Sequence, residues 1–177
     1  IVGAGIGWLF IFCTRFFKQI FAFRPLPVYV KTLIGGILLG IIAFYFPLTR
    51  YFGHHEISEL LSGQFSLSLL GALLVFKIMA ISITVTSGWR GGFIIPLFFV
   101  GATLGLILHQ LFPSLNLSLA IVSCMAAINA CVTRTPMSTT ILLATLTGFG
   151  HFIPILFASL TGYFSVSYTH LTLPTKR

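Results

Sequence analysis

The chemistry of this sequence is concentrated at Ser87-Gly88-Trp89-Arg90-Gly91-Gly92-Phe93-Ile94-Ile95-Pro96, where three glycines, an arginine and a proline interrupt an apolar chain. Gly91 and Gly92 come just before a helix expected to start at Phe93. The first N–H groups of a helix lack intrahelical partners. They lie at the positive end of a dipole worth about half a charge. An anion there can accept N–H bonds from the backbone, and glycine lets it approach closely. Pro96 falls in the first turn, where its missing N–H costs little. The stretch reads either as an anion site or as a tight turn between two spans.

The other reactive side chains are scattered. Lys77 lies inside an apolar run, where a charge costs on the order of 3 kcal/mol. It either reaches an interface along its own stem, which the nearby helix end favours, or faces a polar pathway. His54-His55-Glu56-Ile57-Ser58-Glu59 lacks a metal-protease spacing and a third ligand, and reads as a solvated loop. His109 and His151 stand alone at helix ends as structural residues. Cys13, Cys124 and Cys131 have no CxxC partner and read as small hydrophobes between helices. Nucleotide-binding and serine-hydrolase motifs are missing, and no acid lies in any apolar run. No enzyme chemistry, metal or cofactor is expected.

The elements that must position the glycine motif follow from the breaks. Apolar runs cover Ile1 to Phe23, Lys31 to Phe46, Phe65 to Thr84, Phe93 to Phe112, Leu117 to Val132, Pro136 to Thr147 and His151 to Phe164. The polar stretch Thr49 to Gly63 holds both acids, and its Ile57-Ser58-Glu59-Leu60-Leu61 could form one short helix. Gly36 and Gly40, and again Gly101 and Gly105, are four apart, a spacing that lets another helix come close. Several runs are shorter than the roughly 20 residues needed to cross a bilayer. Short helices with Gly and Pro breaks predict half-spanning helices that meet inside the membrane, where irregular backbone lines a cavity.

Composition fixes the class. Only 7% of the 177 residues are charged and 57% are hydrophobic, against about 25% charged in soluble domains. The chain is expected to be an integral, multi-pass, all-α membrane protein, and its runs are too uniformly apolar for a β-barrel. The net charge of +8 comes from ten basic residues against two acids. They stand singly at the edges of apolar runs, as membrane flanks do, with no patch for nucleic acid. Such a field also suits an anionic solute. Arg15, Lys18, Arg24 and Lys31 mark an expected cytoplasmic side.

Ser87-Gly88-Trp89-Arg90-Gly91-Gly92-Phe93-Ile94-Ile95-Pro96 and the helix after it, to Gly105, resemble the chloride channel and chloride/proton antiporter family. Met125 to Gly148, with a small-residue helix, a break before proline and a short helix, resembles it too, and Lys77 fits its spacing. The resemblance covers most of Ile1 to Phe164 and implies the second inverted repeat of tilted, partly half-spanning helices. It implies that the backbone amides of Phe93 and Ile94 bind the anion, with Gly91, Gly92, Ile95 and Pro96 forming the loop. Phe93 is one place earlier than the family's usual aromatic, and Thr145 stands where the family often has an acid.

The family's gating glutamate, central serine and proton-path glutamate would belong to a missing first half, and its closing tyrosine would lie just past Phe164. Residues 165–177 read as a non-native, vector-like tail.

The resulting expectation is transport of chloride or a similar anion, as a channel or an anion/proton antiporter, in a plasma or inner membrane. Arg90 would raise the local anion concentration without contacting the central ion. Residues 136–147 and 151–164 would form a homodimer interface, and the fragment alone would be inactive. Two other readings are a structural subunit packing through Gly-xxx-Gly faces, and a secondary transporter of another family.

Overall fold

The structure, a computed structural model, describes residues 1–22, 27–49, 57, 59–60, 63, 65–89 and 91–171, with side chains as far as Ser165. Among the described residues there are helices and no strands. In chain order they are α1 (Val2–Ala22), α2 (Val28–Tyr45), α3 (Leu67–Thr86), α4 (Ile94–Leu111), α5 (Leu117–Thr133), α6 (Pro136–Thr147) and α7 (Phe152–Leu171), with 3-10 turns at Pro47–Thr49 and Phe149–His151.

The breaks have local causes. Pro27 stands at the N-cap of α2 in extended backbone, so the helix begins earlier than Lys31. Pro47 lacks the N–H that would continue α2, and the backbone leaves the helical region at Phe46. Asn116 caps α5 by accepting the Leu119 N–H at 3.3 Å. That is a signal the sequence carries in its Asn just before an apolar run. Arg134 ends α5 in the left-handed region at φ 59°, and Pro136 opens α6 at its first position. His109 Nδ1–H donates to the Leu115 carbonyl at 2.8 Å and closes the α4–α5 turn, a structural role as expected.

α2, α3 and α4 are long and apolar enough to cross a membrane. α6, with 12 residues, rises only about 18 Å, well short of about 30 Å of hydrocarbon.

α5 is the hub, packed by α4, α7, α1 and α6. Its residues from Ile121 to Cys131 are buried almost without interruption. Glycines bring the neighbours in. A methyl added to Gly101 would sit 2.5 Å from Met125 Cα, and one on Gly105 2.5 Å from Ile121 Cα. Gly3 and Gly7 press on Ala127 and Cys131, and Gly162 on the Ala127 backbone. Cys124 and Cys131 are buried here as packing groups, and all three cysteines are unbridged.

Gly36 and Gly40 depart from expectation. Gly40 meets nothing, and Gly36 meets only the Trp89 ring at ordinary contact distance. The close approach of α2 is made by Gly35, against Ser87. Register decides it: Gly35 points at α3, and its neighbour cannot share that face.

Ile57, Glu59 and Leu60 are helical, and Leu60 is fully buried in the main core. His54, His55, Glu56, Ser58, Arg24 and Arg90 lie outside the described residues. α7 continues past Phe164 to Leu171.

Candidate functional site

The glycine motif sits between the end of α3 and the start of α4. Ser87 closes α3 by donating its N–H to the Ile83 carbonyl at 2.9 Å. Gly88 then turns the chain at φ 94°, in the region that favours glycine. Gly91, Gly92 and Phe93 are non-helical, and α4 begins at Ile94 with Phe93 at the N-cap. The first bond into this helix runs from the Leu97 N–H to the Phe93 carbonyl at 3.1 Å. The Ile94 and Ile95 amides therefore precede the intrahelical ladder, and Pro96 has no N–H to offer. The expected helix start is met within one residue.

Gly91 and Gly92 have a different use from the packing glycines. A methyl on either would meet nothing within 4 Å, and neither has a positive φ. They leave open space beside the helix start. That space is a cavity of about 450 Å³, lined by Gly91, Gly92, Phe93 and Pro96 on one side and by α2 and α3 on the others. Ile94 and Ile95 do not line it, and their side chains are exposed. The structure thus brings Gly91, Gly92, Phe93 and Pro96 to one cavity and leaves the side chains of Ile94 and Ile95 outside it. Arg90 lies outside the described residues.

Lys77 stands on the α3 wall of the same cavity. It is 2% exposed, so it does not reach an interface. Its Nζ donates to the Thr49 carbonyl at 3.1 Å and lies 4.8 Å from the centroid of the Phe99 ring. The turn at Pro47–Thr49 folds over α3 and brings a carbonyl to the ammonium, which makes burial affordable. This replaces the interface reading of Lys77. From sequence, Thr49 was merely the first residue of a polar stretch, and nothing marked it as a partner.

Trp89 and Thr32 were also missed. The Trp89 indole N–H donates to the Thr32 carbonyl at 3.1 Å, and Thr32 Oγ1–H donates to the Ser87 carbonyl at 3.1 Å. Backbone acceptors leave no trace in residue types, so no sequence signal could have paired them. Thr145 is exposed and turns its hydroxyl to its own helix, at the Leu142 carbonyl, 2.8 Å away. Among the described residues, no three His, Cys, Asp or Glu side chains are grouped to hold a metal.

Comparison with known proteins gives a family match over nearly the whole chain. The family model described as "Voltage gated chloride channel" matches residues 1–167. "Uncharacterized protein MJ0305" of Methanocaldococcus jannaschii is 33% identical over 138 residues, covering 78% of this chain and 35% of that protein. "Putative ion-transport protein YfeO" of Escherichia coli O1:K1 / APEC is 36% identical over 110 residues, 61% of this chain and 26% of that protein. The matched region is thus 35% and 26% of the length of these two relatives.

Proposed function

This chain belongs to the voltage-gated chloride channel family, and from that premise we propose that it forms one wall of a membrane pathway for chloride or a similar anion. The anion is held by backbone amides at the start of α4, those of Phe93 and Ile94, with Gly91 and Gly92 clearing the approach. One observation carries this reading: two glycines with no packing or backbone requirement open the helix start onto a cavity. A ring of charged side chains is not needed, because unpaired N–H groups and the helix dipole supply the positive end. Arg90 adds to the local anion concentration. The pathway works as a channel or as an anion/proton antiporter.

The test is Gly92→Leu in the full-length protein, reconstituted in liposomes. The new side chain has room, so the fold survives, but it occupies the space the anion needs. Selective anion flux is expected to fall by roughly tenfold or more. Unchanged flux and selectivity would remove the motif from the pathway. Residues 1–177 alone are expected to give no selective anion flux, since they supply one wall of the site.

We place the homodimer contact on α6 and α7. Met137 and Ile141 on α6, Ile153 and Phe157 on α7, and Phe149 in the turn between them are large, apolar and exposed. The reading as a packing subunit has little support. Gly101 and Gly105 are used within the chain against α5, Gly36 lies under Trp89, and Gly40 lines the cavity.

A further inference from the structure

The loop that carries Gly91 and Gly92 is gripped from the side, by α2. Ser87 is buried, and Gly35 leaves the room for it: a methyl on Gly35 would sit 2.5 Å from Ser87 Cβ. The Thr32 hydroxyl bonds the Ser87 carbonyl, and the Thr32 carbonyl accepts the Trp89 indole N–H, each at 3.1 Å. The Trp89 ring covers Gly36 and also reaches the cavity.

Two features make this bond decisive for the loop. Trp89 is 49% exposed, so burial alone does not fix its ring. In addition, only Gly35 and Ile42 of α2 are buried, so few contacts hold this helix. At its far end α2 and its turn are tied by the Phe46–Phe76 stack and by Lys77 on Thr49. At the near end the ties are Gly35, Thr32 and Trp89. The cavity lies between the two, with Leu39, Gly40 and Ile42 as its α2 wall.

We propose that Trp89 is a positioning residue for the anion site: its indole bond to Thr32 fixes the distance between α2 and the glycine loop, and so sets which anions the site prefers. This rests on the reading that the loop holds an anion. Discrimination between chloride and the larger iodide needs donors held within about 0.5 Å. A loop released from α2 loses that precision while its amides remain.

The experiment compares chloride and iodide flux through the full-length protein in liposomes, for wild type, Trp89→Phe and Gly36→Leu. Trp89→Phe keeps a ring and loses the donor. Gly36→Leu keeps the donor and pushes the ring off α2. Both are expected to lower the chloride-over-iodide preference by about fivefold, the effect of one ordinary hydrogen bond, with the flux of the best-carried anion retained. Trp89→His, which restores a ring N–H, is expected to recover part of the preference. A preference within about twofold of wild type in both variants, well below a hydrogen bond's worth, overturns the role of Trp89. Absence of anion flux in wild type itself defeats the transport reading instead, an outcome the variants cannot mimic.

Discussion

At the scale of single residues, Lys77 shows how a charge is kept inside an apolar helix bundle. Its ammonium meets a carbonyl and a ring face, and its four-carbon stem packs in the core. Two effects compete when it is replaced. Removing the charge ends a desolvation cost on the order of 3 kcal/mol, while removing the stem opens a void. Lys77→Met keeps most of the stem volume and is expected to cost less than about 1.5 kcal/mol. Lys77→Ala loses the volume and is expected to cost about 2–4 kcal/mol. Thermal melts of the purified protein in detergent check the order. Since both variants lose the ammonium, equal costs for Met and Ala would mean that the lost charge and its bonds, and not the stem volume, dominate at this wall. Gly92 is the opposite case, since a methyl added there would meet nothing within 4 Å.

At the scale of elements, glycine position decides which helices touch. Gly105→Val would drive a side chain into the Ile121 backbone, and α5 is held from several sides and cannot retreat. The expected cost is at the upper end of overpacking, about 3 kcal/mol or more. Gly71 is the control: it lies within α3 and a methyl there would meet nothing within 4 Å. Gly71→Ala is expected to stabilise by about 0.5–1 kcal/mol, through helix propensity alone. Equal effects of the two substitutions on the melting temperature would mean that α4 and α5 are not in close contact.

At the scale of the whole molecule, many large apolar side chains are exposed among the described residues, on α1, α2, α6 and α7 above all. Arg15 and Lys18 are exposed and share a helix face. The exposed aromatic and aliphatic face of α6 and α7 is the candidate for a second copy. In a background freed of native cysteines, Ile153→Cys is expected to cross-link into a dimer with a short bismaleimide. Phe12→Cys, also exposed on α1, is expected to stay monomeric. Cross-linking at Phe12 alone would move the interface to α1.

Much of this was written in the chain itself. Low charge and long apolar runs made it a helical membrane protein, because a bilayer leaves the backbone few other ways to satisfy its polar groups. Pro47, Pro136 and the glycines at 88 and 148 marked breaks by local stereochemistry alone. The glycine motif announced an open helix start for the same reason. What the sequence could not determine was orientation. In a soluble helix polar residues mark the outside, but here lipid and core are both apolar, so inward and outward faces look alike. Only the packed structure selected Gly35 over Gly36 and Gly40, turned Lys77 into the cavity, and joined Trp89 to a backbone carbonyl 57 residues away in sequence. Those contacts depend on helix register and on carbonyls that every residue carries, and tertiary packing alone assigns them.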